Sequence, residues 1–590
     1  MFAAFAEGPV SSREMSETLE FTCDGRPVTV PVEPGETLLT VLRERLGVRS
    51  VKDGCAPQGQ CGCCTVLVDG DARVACVTPA TRVAGRCVTT VDGLDPGVRD
   101  AFAGAFVATG GSQCGFCTPG IVVRCAAAVA KGRSAPAEVD RALAAHLCRC
   151  TGWQTIREAV ECVGRGDAHV EARARDLDAA GARATLEGGV AQRVGTDVVL
   201  GRGGFADDTA PADALVAVPL PPGSGADGIE AEGLDWVVAD SLHEARARAG
   251  KVQGRRTTIE ERPPIALPDP WDGGVRLATS WVEPAYLEPD ASWCAPAGDP
   301  ASPLANGGAF GGKADSVAPA AARALADRFG RAVRVVLSRE DAVRLGAKRP
   351  PIAARARYTD GVVELDGLVA RGGRAAFEAL GASSPGPAPV RASWHEVAVV
   401  GPPVGTALRA VGLAESAVLV AGALAEASVE PSALVGDGRT ADVALDTVVT
   451  TGAGALAGAR VSLDRDAAAI DAVTVRVAAG DALDAVTLRS YVIGAAHMAL
   501  GWVLSEAIAV DPDTGDVHDL TIRSFGILRA RDMPRVDVEI VDDPGPPLAV
   551  ADAAFAAVAA ATWNAITRAD GARPETFPVR TTRVHTRSPR

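Results

Sequence analysis

The sequence predicts an α+β protein made of several domains. The chain has 590 residues, and single domains usually run to about 100–200 residues. Thirteen of its 14 cysteines lie before residue 163, so the start of the chain differs in chemistry from the rest. Strand-like and helix-like runs both occur, without a repeat of fixed period. Together these features indicate two small cysteine-rich domains followed by a larger α+β region.

Residues 16–93 have the pattern of a small, mostly β domain. Residues 19–23 and 28–32 alternate in polarity as strands do, and an Asp-Gly pair between them signals a turn. Within residues 36–46, leucines recur at the spacing of one helical face. A further strand is predicted at 65–68, after a cysteine-rich loop. This order of hairpin, helix, cysteine loop and strand predicts a β-grasp ferredoxin-like domain.

Residues 94–165 are predicted to form four helices. Helical apolar spacing covers 97–109, 119–131 and 136–145, and a fourth helix is expected from about Trp153. Cysteines fall at the starts and ends of these segments. That placement suits a small helical domain that holds a metal centre.

The remaining residues carry weaker signals. Residues 166–270 are rich in Ala, Gly, Arg and Asp, and they are left as a linker or unassigned region. Residues 271–590 are predicted to be a truncated α+β region, in which strand-like runs alternate with Ala-rich helical runs. The strand-like runs are 333–337, 443–450 and 473–477, and the helical runs are 319–328, 414–427 and 550–566.

The first candidate metal site is a group of four cysteines, Cys55, Cys61, Cys64 and Cys76. Its C-x5-C-x2-C loop is one residue longer in the first gap than the plant-type iron–sulfur pattern. Glycines in the loop allow its backbone N–H groups to turn toward sulfur. Zinc is the alternative for four thiolates, although a single glycine-lined loop favours a cluster. Cys63 is interpreted as a packed neighbour of the ligand Cys64.

The second candidate metal site combines Cys114 and Cys117 with Cys148 and Cys150. A single C-x2-C pair beside a helix start also occurs in thioredoxin-like redox sites. A second close pair, separated from the first by predicted helices, favours a four-thiolate metal site. The remaining cysteines, interpreted as buried small apolar residues, are Cys23, Cys87, Cys125, Cys162 and Cys294.

The strings around both groups resemble the xanthine dehydrogenase, or molybdenum hydroxylase, family. QCGFCTPG at 113–120 and LCRCTGW at 147–153 are similar to the signature of that family's second [2Fe–2S] cluster. GQCGCCTV at 59–66 is similar to the loop of its first cluster. The resemblance implies two [2Fe–2S] clusters held by the eight cysteines. It also implies that Gln113 lies toward a molybdopterin cofactor, in this chain or in a partner.

The C-terminal region resembles the family's molybdenum-binding subunit more loosely. GGAFGGK at 307–313 is similar to a glycine-rich loop near the cofactor, which implies Gly308 and Phe310 as cofactor contacts. Arg409 matches a cofactor-contact arginine, and a buried structural arginine is the alternative. PGPP at 544–547 is similar to the loop that carries the family's catalytic glutamate. A full molybdenum subunit is more than twice as long as this region.

Two departures remove the family's active-site glutamates. Ala314 and Gly545 stand at their positions, and neither residue can act as a general base, a role that contributes about 10²–10⁴-fold to rates. No catalytic residue is therefore assigned. Because Gly545 lies between two prolines, its backbone is expected to use angles that glutamate resists. His146 replaces the family's usual Asn and leaves the cysteines untouched.

The sequence therefore predicts an iron–sulfur electron-transfer subunit of a xanthine dehydrogenase-like complex, with an inactive molybdenum-domain tail that serves a structural role. One alternative is a competent molybdopterin hydroxylase of N-heterocycles or aldehydes, and another is a scaffold whose clusters only support structure. Whether this chain binds molybdopterin is left open, and the favoured interpretation is that it does not. FAD is expected only on a partner, because residues 166–270 lack a dinucleotide fingerprint. The expected partners are a complete molybdenum-cofactor subunit and a flavin subunit.

Composition excludes several other classes. A net charge of −15 argues against a nucleic-acid surface, which needs a basic stripe. No apolar run is long enough for a bilayer, and the N-terminus lacks the basic region of a secretory signal. Dense cysteines without an export signal indicate a cytoplasmic protein. Either Met1 or Met15 could be the natural start.

Overall fold

The computed structural model describes residues 17–166, 175–221, 224, 227–250, 260–269, 271, 273–378, 388–429, 445–464 and 468–586. The two candidate start residues, Met1 and Met15, lie outside these ranges. No helix within the ranges combines the length and the apolar character that a membrane span needs.

Residues 17–89 form a five-stranded sheet that confirms the predicted hairpin and the strand after the cysteine loop. The elements are β1 (Glu17–Cys23), β2 (Arg26–Val32), α1 (Leu38–Thr40), β3 (Thr65–Val68), β4 (Asp71–Val74) and β5 (Cys87–Thr89). The strand order is β2-β1-β5-β3-β4. Strands β1 and β5 are parallel, and the other neighbours are antiparallel. The long cysteine-rich loop therefore leads directly into a central part of this sheet.

The helix predicted over 36–46 is shorter and has mixed geometry in the structure. Helix α1 gives way to a π-helical turn at Val41–Arg45. The side chains that this segment buries are Leu38, Leu39, Val41 and Leu42. An α-helix of regular pitch places residues three or four apart on one face. The wider π turn allows an additional apolar side chain to reach the core.

The next segment contains the four predicted helices. They are α2 (Pro96–Thr109), α3 (Thr118–Val129), α4 (Pro136–Ala142, continued by a 3₁₀ turn at Leu143–Ala145) and α5 (Gln154–Gly164). The Asp95 side chain accepts a hydrogen bond from the Val98 N–H at the start of α2, and Gly110 ends that helix in the left-handed conformation. Helix α2 packs against α5. Cysteines precede both α3 and α5.

Residues 166–270, which the sequence left unassigned, contain regular elements in their described part. They are α6 (Leu177–Gly188), α7 (Thr196–Val199), α8 (Ala206–Thr209), β6 (Leu215–Pro219), β7 (Ile229–Ala231), β8 (Leu234–Ala239) and α9 (Leu242–Ala249). Strand β6 is buried along its whole length, and it pairs in parallel with a strand at Val333–Val336. Pairing across so long a separation leaves no local signal in the sequence.

The remaining residues complete that sheet and add two more. The strands are β9 (Val275–Thr279), β10 (Ala291–Cys294), β11 (Val333–Val336), β12 (Ile352–Thr359), β13 (Val362–Ala370), β14 (Val390–Val397), β15 (Thr447–Thr450), β16 (Leu456–Leu463), β17 (Ala469–Ala478), β18 (Arg535–Ile540), β19 (Thr576–Phe577) and β20 (His585–Thr586). The helices are α10 (Ala318–Phe329), α11 (Arg339–Leu345), α12 (Arg374–Glu378), α13 (Leu413–Glu426), α14 (Ala485–Leu504) and α15 (Ala551–Asp570).

Three sheets and three long helices organise this C-terminal part. The sheet orders are β10-β11-β6-β8-β7, β14-β13-β12-β9-β19 and β15-β16-β17-β18, with β20 also paired to β17. Helix α15 packs against both α13 and α14. All three helices are buried along most of their length. The α+β class predicted from the sequence is confirmed.

Buried ion pairs join the cysteine-rich segment to the rest of the chain. Arg43 contacts Asp207 at 2.6 Å, and Lys52 pairs with Asp208 while its ammonium group also donates to the Gly201 carbonyl. Burial alone would raise the pKa of the Asp207 carboxyl, but the guanidinium groups of Arg43 and Arg334 outweigh it and hold that pKa at about 2. Burial of these charged side chains is possible only because each has a close partner of opposite charge.

Candidate functional site

The structure brings the four cysteines of the first group together. All four are buried, with at most 2% of each residue exposed. The Cys55 thiol is hydrogen-bonded to Cys61 and Cys76, and these bonds lower the pKa of Cys55 well below its usual range. Cys76 is in turn hydrogen-bonded to Cys64. The backbone N–H of Cys61 donates to the Cys55 sulfur at 3.3 Å, which is how a loop stabilises thiolate sulfur.

Two glycines allow the loop to wrap around these sulfurs. Gly59 and Gly62 have φ of +67° and +74°, a region that residues with a Cβ rarely adopt. Space at Gly62 is also restricted, because a Cβ there would lie 2.4 Å from the His146 ring. The glycine-rich composition of the loop thus follows from its backbone path.

The second group is assembled from two segments as two close sulfur pairs. The Cys114 and Cys150 sulfurs lie 3.5 Å apart. Cys117 is hydrogen-bonded to Cys148, and this bond lowers the pKa of the Cys148 thiol to about 6. Cys114 and Cys117 lie on the turn before α3, whereas Cys148 and Cys150 lie on the loop before α5. Each pair takes one thiol from each segment.

Paired sulfurs suit a [2Fe–2S] cluster better than a single ion. Each iron of such a cluster takes two protein thiolates, so four cysteines act as two pairs. A zinc site would require four ligands around one point. The donor set therefore fits two [2Fe–2S] clusters.

The other cysteines divide into buried and accessible residues. Cys23, Cys63, Cys125 and Cys294 are buried, as interpreted from the sequence. Cys87 is exposed and Cys162 is partly exposed, so the interpretation of these two as buried was wrong. Cys87 begins a short strand whose side chains alternate between the two faces of the sheet. Cys162 lies near the solvent-exposed end of α5.

Direct hydrogen bonds connect the two cysteine groups. The Leu147 N–H, one residue before Cys148, donates to the Cys61 carbonyl at 2.9 Å. The His146 Nε2 is 3.0 Å from the Thr65 hydroxyl. Burial lowers the pKa of His146 to about 3, so its ring is neutral near pH 7. The loops of both groups are therefore fixed against one another.

Gln113 is directed at the second cysteine group and at helix α14. Its Nε2 donates to the Cys150 carbonyl and to the Ser490 hydroxyl, both at 3.0 Å. Helix α14 approaches closely here, because a Cβ on Gly494 would lie 1.8 Å from the Cys150 carbonyl oxygen. Neither Ser490 nor Gly494 was identified from the sequence, since the α14 segment carries only a continuous apolar pattern there.

The other candidate cofactor residues contact one another or nearby protein groups. The Arg409 guanidinium lies over the Phe310 ring at 4.4 Å and donates to the Glu187 carbonyl at 2.8 Å. Gly308 is enclosed, because a Cβ there would meet the Glu288 carboxylate at 2.9 Å. Arg409 itself is buried.

Glu187 is a second site residue that the sequence did not reveal. Its carboxylate accepts hydrogen bonds from the Val550 and Ala551 N–H groups at 3.1 and 2.9 Å, at the start of α15. It also pairs with Arg183 at 3.0 Å. Burial raises the pKa of Glu187 despite these partners. An anion at a helix N-terminus is a favourable arrangement, and here the chain supplies that anion itself.

Comparison with known proteins gives the family of the first part of the chain. Residues 21–81 match the 2Fe-2S iron-sulfur cluster binding domain, and residues 90–161 match the [2Fe-2S] binding domain. The xanthine dehydrogenase iron-sulfur-binding subunit of Escherichia coli is 42% identical over 147 residues, which is 24% of this chain and 91% of the relative. The isoquinoline 1-oxidoreductase subunit alpha of Brevundimonas diminuta is 38% identical over 24% of this chain and 94% of the relative. The chain belongs to the xanthine dehydrogenase, or molybdenum hydroxylase, family.

Solved structures of this family extend the likeness in fold to the rest of the chain. The aldehyde oxidoreductase of Desulfovibrio gigas matches with a TM-score of 0.69 at 18% identity, over 95% of this chain and 99% of that chain. The enzyme of Desulfovibrio desulfuricans matches with a TM-score of 0.68 at 17% identity, over the same shares. The chain therefore has two [2Fe–2S]-binding domains followed by a region with the fold of these oxidoreductases.

The molybdenum cofactor typical of the xanthine dehydrogenase family does not fit between the residues implied to hold it. The cavity beside Phe310 and Arg409 measures about 30 Å³, about the share of one water molecule in the liquid. Cofactor and ligand pockets usually measure about 300–1,000 Å³. The ion pair between Arg149 and Glu506, at 2.7 Å, forms one wall of the cavity. Protein side chains thus fill this space.

The two positions that the sequence matched to the family's glutamates lie at or near the surface. Ala314 is exposed, and Gly545 is partly exposed. The expectation that Gly545 uses unusual backbone angles was wrong, because its φ is outside the left-handed region and a Cβ would come no closer than 3.5 Å to Asp543. Its loop is fixed through the carbonyl group, which accepts from the Asp481 N–H at 2.9 Å. Neither position lines the small cavity, whereas Glu283 and Glu506 do.

Proposed function

We propose that this chain is an iron–sulfur electron-transfer subunit of a xanthine dehydrogenase-like molybdenum hydroxylase complex. Its C-terminal region serves a structural role and does not bind the molybdenum cofactor. A complete molybdenum-cofactor subunit would supply electrons, and a flavin subunit carrying FAD would accept them. N-heterocycles are the proposed substrate class of the complex, because several related subunits belong to enzymes named for isoquinoline, nicotinate and nicotine.

The observation that carries this proposal is the contact between α14 and the second cysteine group. Gln113, the residue expected to lie toward the cofactor, donates instead to Ser490 on that helix. Gly494 brings the helix against the Cys150 carbonyl. Among the described residues, the cavity beside Gln113, Ser490 and Tyr491 measures about 10 Å³, which is too small for a cofactor. The side chains that would act as base and substrate anchor are also missing, at Gly545 and Ala314.

The chain's own residues hold and insulate the clusters. Cys55, Cys61, Cys64 and Cys76 would hold the first cluster, and Cys114, Cys117, Cys148 and Cys150 would hold the second. When bound, each [2Fe–2S] cluster takes up and releases one electron. Burial excludes water from both groups, and the Leu147–Cys61 hydrogen bond keeps the two loops at a fixed spacing. Near-complete burial also favours a low reduction potential, because the added charge is poorly solvated.

Metal analysis and turnover of the isolated chain test the proposal. We expect about four iron atoms and four acid-labile sulfides per chain, with substoichiometric molybdenum. The isolated chain should not oxidise an N-heterocycle with an artificial acceptor, whereas the complex with its partner subunits should. In both samples the clusters should be reduced by dithionite, as followed by electron paramagnetic resonance.

Two results would contradict specific parts of the proposal. About one molybdenum per chain together with activity of the isolated polypeptide would establish the competent hydroxylase instead. Clusters that assemble but are not reduced during turnover of the complex would identify a structural scaffold. Stoichiometric zinc with little iron would refute the cluster assignment itself.

A further inference from the structure

A basic groove lies on the surface of the iron–sulfur segment, outside the sites described above. It measures about 770 Å³ and runs between β4 and helices α3 and α4. Five basic and two acidic side chains line it, so it has an excess of three positive charges, whereas the whole chain has a net charge of −15. We call this surface, lined by Asp71, Arg73, Arg124, Lys131, Arg133, Glu138 and Arg141, the β4–α3 groove.

Most of the positive charge in the β4–α3 groove is unpaired. Arg73, Arg133 and Arg141 are exposed, and none of them forms an ion pair or a side-chain hydrogen bond with any residue that the structure describes. Lys131 is paired with Asp71 at 3.0 Å. On a surface with an excess of carboxylates, three guanidinium groups without a partner are available to an external anion.

The shape of the groove indicates a protein partner instead of a small ligand. No aromatic side chain lines the groove, and its uncharged lining consists of alanines. Small-molecule sites are usually enclosed and rich in apolar and aromatic side chains. A wide, polar, positively charged groove suits charge-complementary contact with a protein surface.

The groove is also connected to both cysteine groups through the backbone. Strand β4 ends at Val74, two residues before Cys76. Helix α3, the opposite wall, begins directly after Cys117. A protein bound in the groove would therefore contact β4 and α3, two elements that are followed or preceded along the chain by a ligand of each proposed cluster.

We infer that the β4–α3 groove docks an acidic face of a redox protein that exchanges electrons with the clusters. This inference rests on the proposed electron-transfer function for the identity of the partner as a redox protein. Charge complementarity selects the partner, because guanidinium groups steer an acidic surface and repel a basic one.

The test uses the full chain with its clusters and two haem proteins of opposite charge, acidic cytochrome b5 and basic cytochrome c. The groove variant carries Arg73→Glu, Arg133→Glu and Arg141→Glu. The matched control carries Arg328→Glu, Arg371→Glu and Arg391→Glu, three exposed arginines of the C-terminal part with the same change in net charge. A milder variant, with glutamine at the three groove positions, tests the same charges if the glutamate variant does not fold.

Stopped-flow spectroscopy would follow reoxidation of dithionite-reduced clusters by each cytochrome. We expect the groove variant to slow electron transfer to cytochrome b5 by at least about tenfold at low ionic strength, within the range of electrostatic steering. The glutamine variant should show a smaller effect in the same direction. At about 1 M salt, where the Debye length is about 3 Å, the difference should disappear. Cytochrome c should not be slowed.

Equal slowing by the groove and control variants would overturn the inference, because it would reflect net charge alone. Relief of cytochrome b5 binding by inorganic pyrophosphate at constant ionic strength would identify a small-anion site instead. Self-association of the native chain that the groove variant abolishes would identify an interface between copies. Equilibrium binding of cytochrome b5 does not require electron transfer. Measuring it therefore tests docking in the groove separately from the proposed electron-transfer function.

Discussion

At the residue scale, each proposed cluster combines cysteines from different parts of the chain. Cys117 lies at the start of α3, and its partner Cys148 lies beyond α4. Cys55 and its partner Cys76 are separated by β3 and β4. Formation of either group therefore requires the surrounding domain to fold, and a metal bound there would stabilise that fold in return.

Replacement of one ligand should remove one cluster only. We expect Cys117→Ser to reduce iron to about two atoms per chain, because its pair would lose a thiolate while the first group stays intact. Electron paramagnetic resonance should show the loss of one of two signals. The control is Cys125→Ser, another buried cysteine on α3, which should retain both clusters. Loss of both signals in Cys117→Ser would show that the two sites are not independent.

Asp207 should make the stability of the protein depend on pH in acid. Its folded pKa is about 2, below the value of about 3.9 expected in an unfolded chain. Because the folded pKa is lowered, this contribution is complete above about pH 4 and is lost as pH falls toward 2. The shift corresponds to about 2–3 kcal/mol.

The variant Asp207→Asn measures that contribution. It should lower the free energy of unfolding by about 2–3 kcal/mol at pH 7 and by clearly less at about pH 3, as followed by urea titration. Asp69→Asn, at an exposed pair with Arg86, is the control and should change stability little at either pH. An equal cost of Asp207→Asn at both pH values would show that its charge is not the stabilising property.

At the element scale, helix α14 links the C-terminal part to the second cysteine group. Gly494→Ala should displace the helix, because the new Cβ would lie 1.8 Å from the Cys150 carbonyl oxygen. We expect a loss of stability of several kcal/mol and a changed spectrum of the second cluster, with the first unchanged. Gly104→Ala on α2, where no atom lies within 4 Å, is the matched control and should be neutral or stabilising by up to about 1 kcal/mol. Normal stability and an unchanged spectrum in Gly494→Ala would contradict the close contact.

The elements that the sequence predicted share a local signal. The hairpin of β1 and β2, the four helices α2 to α5 and the Ala-rich α15 all follow from spacing and turn residues within a few positions. The two cysteine groups were also visible, because ligand spacing is local within each half. Which thiols form close pairs was not visible, since pairing crosses two loops.

The elements that the sequence missed depend on distant partners. Strand β6 is stabilised by β11, more than 100 residues later, and its own residues show only a short apolar run. Glu187 accepts a hydrogen bond from the Val550 N–H at the start of α15. The residues around Glu187 in the sequence do not indicate a contact with so distant a segment. Gln113 was expected to lie toward a cofactor, and in the structure its side chain contacts α14. That contact depends on tertiary packing that periodicity does not encode.

At the scale of the whole molecule, a shared fold and a closed cofactor region coexist. The TM-score of 0.69 to the Desulfovibrio gigas enzyme covers 95% of the chain, whereas the cavity beside Arg409 measures only about 30 Å³. Fold does not determine function, which depends on the residues of the site. Within this fold, buried ion pairs such as that of Arg149 with Glu506 occupy the space beside Arg409.

The buried ion pairs between the cysteine-rich segment and the rest of the chain also affect assembly. The related subunits of Escherichia coli and Brevundimonas diminuta match only this segment, whereas here Arg43 and Lys52 find their carboxylates within the same polypeptide. Because the two parts are covalently connected, each meets the other at an effective concentration in the millimolar range. Dilution therefore cannot separate the two parts, and their ratio is fixed at synthesis.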